Sequence, residues 1–428
     1  MVPSTWQRAD TVPPSSHERV VENASQPAIV KHNREPFSTR RLRAPRSPAP
    51  GTPEKLRLSV LAAIDPVLRD AAVTGIVLGS PGTVAVRHDL LVDDGALRRV
   101  VVDASGVVED ALLPLEHACL SCCVREDAIP TLTRLADDGR WTDAVLALPA
   151  TAEPIAVVRA LEIATEPGGP LARYRLATTA AVADVDTLEE DLLGDQLCGD
   201  RGLELADDDE RSVGEALAAQ LEQADLVVTT GTSPTGLGLV DRLRGEGTTR
   251  TDGLHHLDAA DLAALRHDPV AAERRANPLR ARGADAIGGA HGPGGDRSWT
   301  LVLDSSQAFD PERLLAQVEA LGTGRIRSRG VFHVANRPDS ACLWDSAGGQ
   351  TCIAGLGPWG EAMTGSGPRT RICVVGAGDD ADAQVLRQRI SDAFRTALAT
   401  PGEAADGGLR WLGRDDVLAP WLGERTAV

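Results

Sequence analysis

From Leu56 onward the chain alternates short apolar runs with stretches of helical periodicity, a pattern that restricts it to a parallel sheet covered by helices. Residues 58–63, 75–78, 84–86 and 99–102 read as strands, and 144–148 and 226–228 as fully buried ones. Between them, residues 125–137 read as a helix with Glu126 and Asp127 in its first turn, where carboxylates meet the positive end of the dipole. Ser212-Val213-Gly214-Glu215 has the form of a capping box that opens another helix. The expected fold is doubly wound α/β.

The run Ala-Ile-Gly-Gly-Ala-His-Gly-Pro-Gly-Gly at 286–295 cannot hold regular structure and marks a linker. Beyond it, residues 299–303, 326–335, 341–344, 351–354 and 371–375 read as strands and 311–321 and 383–398 as helices, a smaller α+β domain. Cys342, Cys352 and Cys373 fall in its apolar runs, where core packing is expected, and Cys198 in an acidic loop has no assigned role. Residues 1–54 are rich in Pro, Ser and Arg without apolar periodicity and are expected to be a disordered tail. The division is therefore a tail (1–54), a first domain (55–285), a linker (286–297) and a second domain with its tail (298–428).

A formal charge of -18 argues against broad capture of nucleic acid or an anionic membrane by the folded body. Arg34, Arg40, Arg41, Arg43 and Arg46 of the tail are the exception, able to touch RNA phosphates. No run approaches the roughly 18 consecutive apolar residues of a membrane-spanning helix. Seven unevenly spaced cysteines, without a leader-like N-terminal pattern, predict a reducing cytoplasm.

Three of those cysteines lie within five residues, in Glu116-His117-Ala118-Cys119-Leu120-Ser121-Cys122-Cys123. Cys119 and Cys122 have the C-x-x-C spacing that lets two thiolates from one tight turn reach a single metal, and Cys123 or His117 could add a third ligand. The same pair ahead of a helix also suits thiol redox chemistry, because the dipole lowers a thiol pKa, and simple packing is a third reading. Asp89 and Glu153, at strand ends where α/β crevices form, fit either a cation or a capping or turn role.

A phosphate-binding loop of the form G-x-x-x-x-G-K-[ST] is absent after the first strand, where the chain reads Leu61-Ala62-Ala63-Ile64-Asp65-Pro66-Val67-Leu68-Arg69. Gly79-Ser80-Pro81-Gly82-Thr83 contains glycine but precedes a strand, as an ordinary turn does. Of the 44 lysine and arginine residues only Lys31 and Lys55 are lysine, which excludes a lysine-bearing loop from the rest of the folded part.

Taken in order, these features resemble the CobW family of P-loop GTP-binding proteins, linked to cobalt and zinc handling. The cysteine motif runs into Arg125-Glu126-Asp127, a buried strand and a Glu153-Pro154 turn; Asp207-Asp208-Asp209-Glu210-Arg211-Ser212-Val213 and Gln223-Ala224-Asp225-Leu226-Val227-Val228 come later. Phe309-Asp310-Pro311-Glu312-Arg313-Leu314, Arg327-Ser328-Arg329-Gly330-Val331-Phe332, Asn336-Arg337-Pro338-Asp339, Leu343-Trp344 and Ala347-Gly348-Gly349 are similar to the family's C-terminal domain. The likeness covers the chain from about Leu56 and implies a P-loop-NTPase-like doubly wound sheet followed by a CobW C-terminal domain.

The departures are specific. Against the family's C-x-C-C, Ser121 stands in the middle position and Cys123 is extra; the guanine-reading N-K-x-D is replaced by Thr230-Gly231-Thr232-Ser233. Loss of both nucleotide motifs with a retained cysteine pair looks most like the branch of ribosome-hibernation recruitment factors, which act under zinc limitation. The resemblance implies zinc at Cys119 and Cys122, helped by Cys123 or His117, and a protein partner, either a metalloprotein client or a ribosome hibernation factor; the departures argue against GTP hydrolysis with magnesium. Two alternatives remain at this point: a GTP-dependent metallochaperone that delivers zinc or cobalt, and a thiol-redox sensor.

Overall fold

The computed structural model describes residues 55–115, 120, 123–281, 295–363, 367–405 and 409–424. The expected tail, 1–54, and residues 286–294 of the expected linker lie outside them. The first part runs β1 (Leu56–Ala63), α1 (Pro66–Gly79), β2 (Thr83–Leu91), β3 (Ala96–Asp103) and β4 (Gly106–Pro114). A π-helical turn (Cys123–Ala128) then leads into α2 (Ile129–Asp138), followed by β5 (Asp143–Ala147), α3 (Pro154–Ala164), β6 (Tyr174–Asp184) and α4 (Leu188–Leu193). Next come α5 (Val213–Gln223), β7 (Leu226–Thr230), α6 (Pro234–Leu243), β8 (Thr249–Asp252), α7 (Ala259–Ala264) and α8 (Pro269–Ala276).

Among the described residues these strands form one eight-stranded sheet in the order β4-β3-β2-β5-β1-β6-β7-β8. β2, β5, β1, β6, β7 and β8 are mutually parallel, and β3 and β4 extend the sheet as antiparallel hairpins. The connection after β1 leads toward β2 and the one after β6 toward β7, so the neighbours β1 and β6 form the switch point of a doubly wound sheet, where a crevice opens at the strand C-termini. The expected P-loop-NTPase-like α/β architecture is the one observed.

Residues 75–78 are a correction: Gly-Ile-Val-Leu reads locally as a strand but lies in the last turn of α1. The longer pattern wins, because Arg69, Ala72, Val73, Ile76 and Val77 recur at helical spacing and make the buried stripe of that helix. The strands β4, β6 and β8 had no sequence expectation. β6 is the most buried of them, and its alanines and threonines pack on both faces without an alternating pattern to announce them.

The second part contains β9 (Ser298–Ser305), α9 (Pro311–Gly322), β10 (Ile326–Val334), β11 (Arg337–Ala347), β12 (Gln350–Pro358), α10 (Trp359–Ala362), β13 (Thr370–Ala377) and α11 (Ala381–Ala397). Its antiparallel sheet runs β12-β11-β10-β13-β9. One face, with Phe332, Trp344, Ile326 and Val374, packs on α9 and α11 through Leu314, Val318, Ile390 and Phe394. Cys342, Cys352 and Cys373 are buried, and burial pushes the Cys342 and Cys373 thiols up to about 12, consistent with the expected packing role.

The other face is also covered, which is why every residue of β10 is buried. Arg327 and Arg329, on the face opposite Phe332, meet α5 of the first part rather than water. Arg327 donates through Nε and Nη2 to Glu222 at 2.8 and 2.9 Å and also pairs with Asp345, and Arg329 donates to Glu222 at 2.7 Å. Helix α5 is thereby buried along its whole length, including Gln220, Glu222 and Gln223. Its N-cap Ser212 accepts from the Glu215 N–H at 3.0 Å and donates to the Ala347 carbonyl at 3.2 Å, tying the cap to the second sheet.

Replacing Glu222 with Gln removes the carboxylate that two buried guanidinium groups share, leaving Asp345 as the only carboxylate beside them, and should lower unfolding free energy in urea by about 3 kcal/mol. The paired change Glu222→Leu with Arg327→Met should recover part of that loss. A second test concerns His267, whose Nδ1 lies 2.7 Å from Asp225 and Nε2 2.9 Å from Glu162. Burial alone would lower its pKa, but hydrogen bonds and charge from Asp225 and Glu162 outweigh that and raise it to about 9. A folded pKa above the unfolded value means the contribution is full below pH about 6.5 and lost as pH rises through about 9. Wild type should lose on the order of 2–3 kcal/mol more stability over that window than His267→Gln.

Candidate functional site

The crevice at the switch point is lined by Ile64, Asp65 and Pro66 after β1, Asp184 at the end of β6, Asp191 of α4, and Arg201. Only Ile64 and Asp65 separate β1 from α1, so there is no loop long enough to wrap a phosphate. Asp65 is the N-cap of α1, and its Oδ1 accepts from the Val67 and Leu68 N–H groups at 2.7 and 3.3 Å. Pro66 at the first helical position has no N–H to offer. The backbone donors that a helix N-terminus would present to an anion are therefore bonded to the chain's own carboxylate.

The segment from Thr230 to Ser233, at the end of β7, repeats this arrangement. The Thr232 and Ser233 N–H groups both donate to Asp186 Oδ1 at 2.8 Å, and Ser233 caps α6 by accepting from the Gly236 N–H at 3.2 Å. Gly231 sits at φ 86°, and a Cβ there would stand 2.7 Å from both Asp184 and Asp186, so the loop closes tightly on these carboxylates. Asp65, Asp184 and Asp191 face the crevice with Arg201, which is itself held by Asp191 at 2.6 Å. The crevice is net acidic.

Of the expected ligands, His117, Cys119 and Cys122 lie outside the described residues. Cys123 begins the π-helical turn and is fully buried. That turn is firmly anchored: buried Asp127 lies 2.8 Å from His88 Nε2 and pairs with Arg99, and Arg99 pairs with Glu109, which accepts from Arg134 at 2.6 Å. Strands β2, β3 and β4 thus hold the turn through His88, Arg99 and Glu109. His88 was not singled out in the sequence, because a single histidine in an alternating strand carries no signal until its partner is placed 39 residues away.

Asp89 pairs with Arg69 at 2.6 Å and Arg87 at 3.1 Å, and Glu153 lies 3.6 Å from Arg211, so both work in ion pairs. Arg211 in turn pairs with Asp209 and donates to the Thr151 carbonyl at 3.1 Å, fastening the acidic loop onto the turn before α3. The turn at Gly79 to Thr83 joins α1 to the start of β2, at the sheet edge opposite the crevice. Cys198 is buried and its thiol is pushed up to about 12, chiefly by burial. Among the described residues no group of three or more His, Cys, Asp or Glu is arranged to hold a metal ion, and no helix is long and apolar enough to cross a membrane.

Residues 298–394 match the model of the cobalamin synthesis protein cobW C-terminal domain. The zinc chaperone Rv0106 of Mycobacterium tuberculosis is 31% identical over 315 residues, covering 69% of this chain and 72% of that protein. The chain belongs to the CobW family. Zinc-regulated GTPase metalloprotein activator 1 of Dictyostelium discoideum is 24% identical over 272 residues, 58% of this chain and 55% of that one. The Zn(II)-bound YjiA GTPase from E. coli aligns over 80% of this chain and 99% of that one at 13% identity, with a TM-score of 0.30 that adds nothing to the fold assignment.

In this CobW-family chain the cap at Asp65 is expected to stabilise α1. Asp65→Ala frees two N–H groups at the start of α1 and should cost about 1 kcal/mol in chemical denaturation. Asp65→Asn, which keeps an acceptor at that position, should cost less.

Proposed function

We propose that this chain is a zinc-responsive adaptor of the CobW family in which a 55–285 domain, bearing the cysteine motif, is joined to a 298–428 C-terminal domain. Zinc is held by Cys119 and Cys122 with Cys123 or His117 as further ligands, and its presence alters a surface that a protein partner reads. The donor set fits zinc: two thiolates at C-x-x-C spacing with a thiol or imidazole nearby is the soft, tetrahedral chemistry that Zn²⁺ takes. The partner is of the kind implied by the resemblance, a factor brought to the ribosome in hibernation, or more generally a client in zinc homeostasis.

The observation that carries the non-enzymatic reading is the carboxylate of Asp65 on the first N–H groups of α1. An incoming phosphate would have to displace that cap and then sit beside Asp184 and Asp191 with no lysine to neutralise it. Asp186 on the Thr232 and Ser233 amides extends the same argument to the base. The names of the relatives, a zinc chaperone and a zinc-regulated GTPase metalloprotein activator, support the zinc side of the reading.

Calorimetric titration with GTP and Mg²⁺ should give no saturable heat; tight, magnesium-dependent binding would restore the GTP-dependent metallochaperone. Anaerobically purified protein should carry about one zinc per chain, and Cys122→Ser should lose most of it. Zinc retained in full by both Cys119→Ser and Cys122→Ser would remove the site assignment.

A further inference from the structure

An apolar groove lies beside the turn that begins at Cys123 and shares no lining residue with the switch-point crevice. Leu120, Val124 of the π-helical turn and Ile129 at the start of α2 form one wall, and Val157, Ala160 and Ile163 of α3 form the other. The groove measures about 690 Å³ with its open mouth included. Val124 and Val157 are buried at its floor, whereas Ile163 is 55% exposed although it continues their apolar stripe. Arg125 is the one charged side chain of the lining, and it is already paired with Glu126 at 2.9 Å. Such a surface suits apolar side chains rather than a small polar ligand, which needs several converging polar groups to orient it.

The chain ahead of Lys55 starts from the rim of this groove. Lys55 Nζ donates at 3.5 Å to the carbonyl of Thr165, the C-cap of α3, two residues beyond Ile163. Leu56 packs on the core cluster that contains Val124 and Val157, the cluster on which Leu120, Ile129 and Ala160 also lie. Before that point, residues 28–43 set Ile29, Val30, Phe37 and Leu42 among Lys31, Arg34, Arg40, Arg41 and Arg43, with Glu35 as the one acidic residue. The other phenylalanines, Phe309, Phe332 and Phe394, are all buried in the second domain, so Phe37 stands apart as an aromatic anchor. The chain as a whole has a net charge of -18, and exposed Asp207, Asp208 and Glu210 belong to the loop that Arg211 fastens to Glu153 at the start of α3. Leu42 is 13 residues from Lys55, a reach of up to about 45 Å against about 16 Å for the 11 residues of α3.

We infer that residues 28–43 of the same chain dock on this groove, with Phe37 and Leu42 against the α3 and π-turn walls and the arginines toward the acidic loop at the start of α3. A stretch this polar is not expected to bury a core of its own, and the groove supplies the apolar contact it lacks. Because the segment is tethered at the rim, its effective concentration at the groove is on the order of millimolar, so a modest contact suffices. A second copy is the weaker occupant, since it would bring the same net negative charge to the contact. Docked, the segment covers the apolar surface next to Cys123. This inference does not rest on zinc binding or on the state of the nucleotide crevice.

The test is photo-crosslinking of the full chain carrying p-benzoylphenylalanine in place of Phe37, in an equal mixture of isotopically light and heavy protein, with the products mapped by mass spectrometry. Crosslinks from position 37 to peptides holding residues 120–129 or 156–163, joining light to light and heavy to heavy only, bear the proposal out. Their yield should fall about fivefold in Ile163→Glu, whose side chain is exposed and whose melting temperature should stay that of wild type, and by a similar factor in Leu42→Glu, which leaves the groove itself untouched. Light-to-heavy crosslinks at the groove would assign it to a second copy and overturn the proposal. Crosslinks that map to other parts of the chain, no crosslinks at all, or a yield unchanged in both variants would overturn it as well.

Discussion

The carboxylate of Asp65 sits at the first turn of α1, two residues after the central strand of the sheet, and the functional reading of the molecule depends on that bond. In a doubly wound fold the N-terminus beside the switch point is where backbone N–H groups and the helix dipole meet a bound anion. Here Asp65 accepts from Val67 and Leu68, and Pro66 removes a further donor. The helix is well capped as a structural element, and the same bonds leave its end with nothing to offer a phosphate. Asp186 does to the Thr232–Ser233 turn what Asp65 does to α1.

The crevice and the turn that begins at Cys123 rest on different strands of the sheet. On the β1–β6 side lies the acidic crevice; on the β2–β3–β4 side, buried Asp127 with His88 and Arg99 fixes the turn just beyond the cysteines. The second sheet is joined to the first, because α5 packs between the sheets and Glu222 is shared by Arg327 and Arg329. A change on one domain is thus met by rigid, charged contacts on the other.

Much of the architecture was legible in the sequence: β1, β5 and β7 as apolar runs, the Ser212 cap of α5, and the alternation of strand and helix in the second domain. The illegible parts had physical reasons. Residues 75–78 look like a strand over four residues and like a helix over twelve, and burial of Ala72, Val73, Ile76 and Val77 on one face settles it. β6 is rich in small residues and shows no period, because both of its faces are covered. Arg327 and Arg329 look like the solvent face of a strand and are instead the buried contact with α5, which depends on a glutamate 105 and 107 residues away. The cysteine pair was visible at once, whereas the His88–Asp127 contact that anchors its neighbourhood was not.

Central to this reading is that the cysteines still hold zinc while the nucleotide side is closed. Zinc K-edge X-ray absorption of the zinc-loaded full chain, recorded with and without GTP and Mg²⁺, addresses both halves in one experiment. The predicted result is at least two sulfur neighbours at about 2.3 Å and a spectrum that GTP leaves unchanged. A shell of nitrogen and oxygen alone, or a sulfur shell that rearranges on addition of GTP, would contradict it.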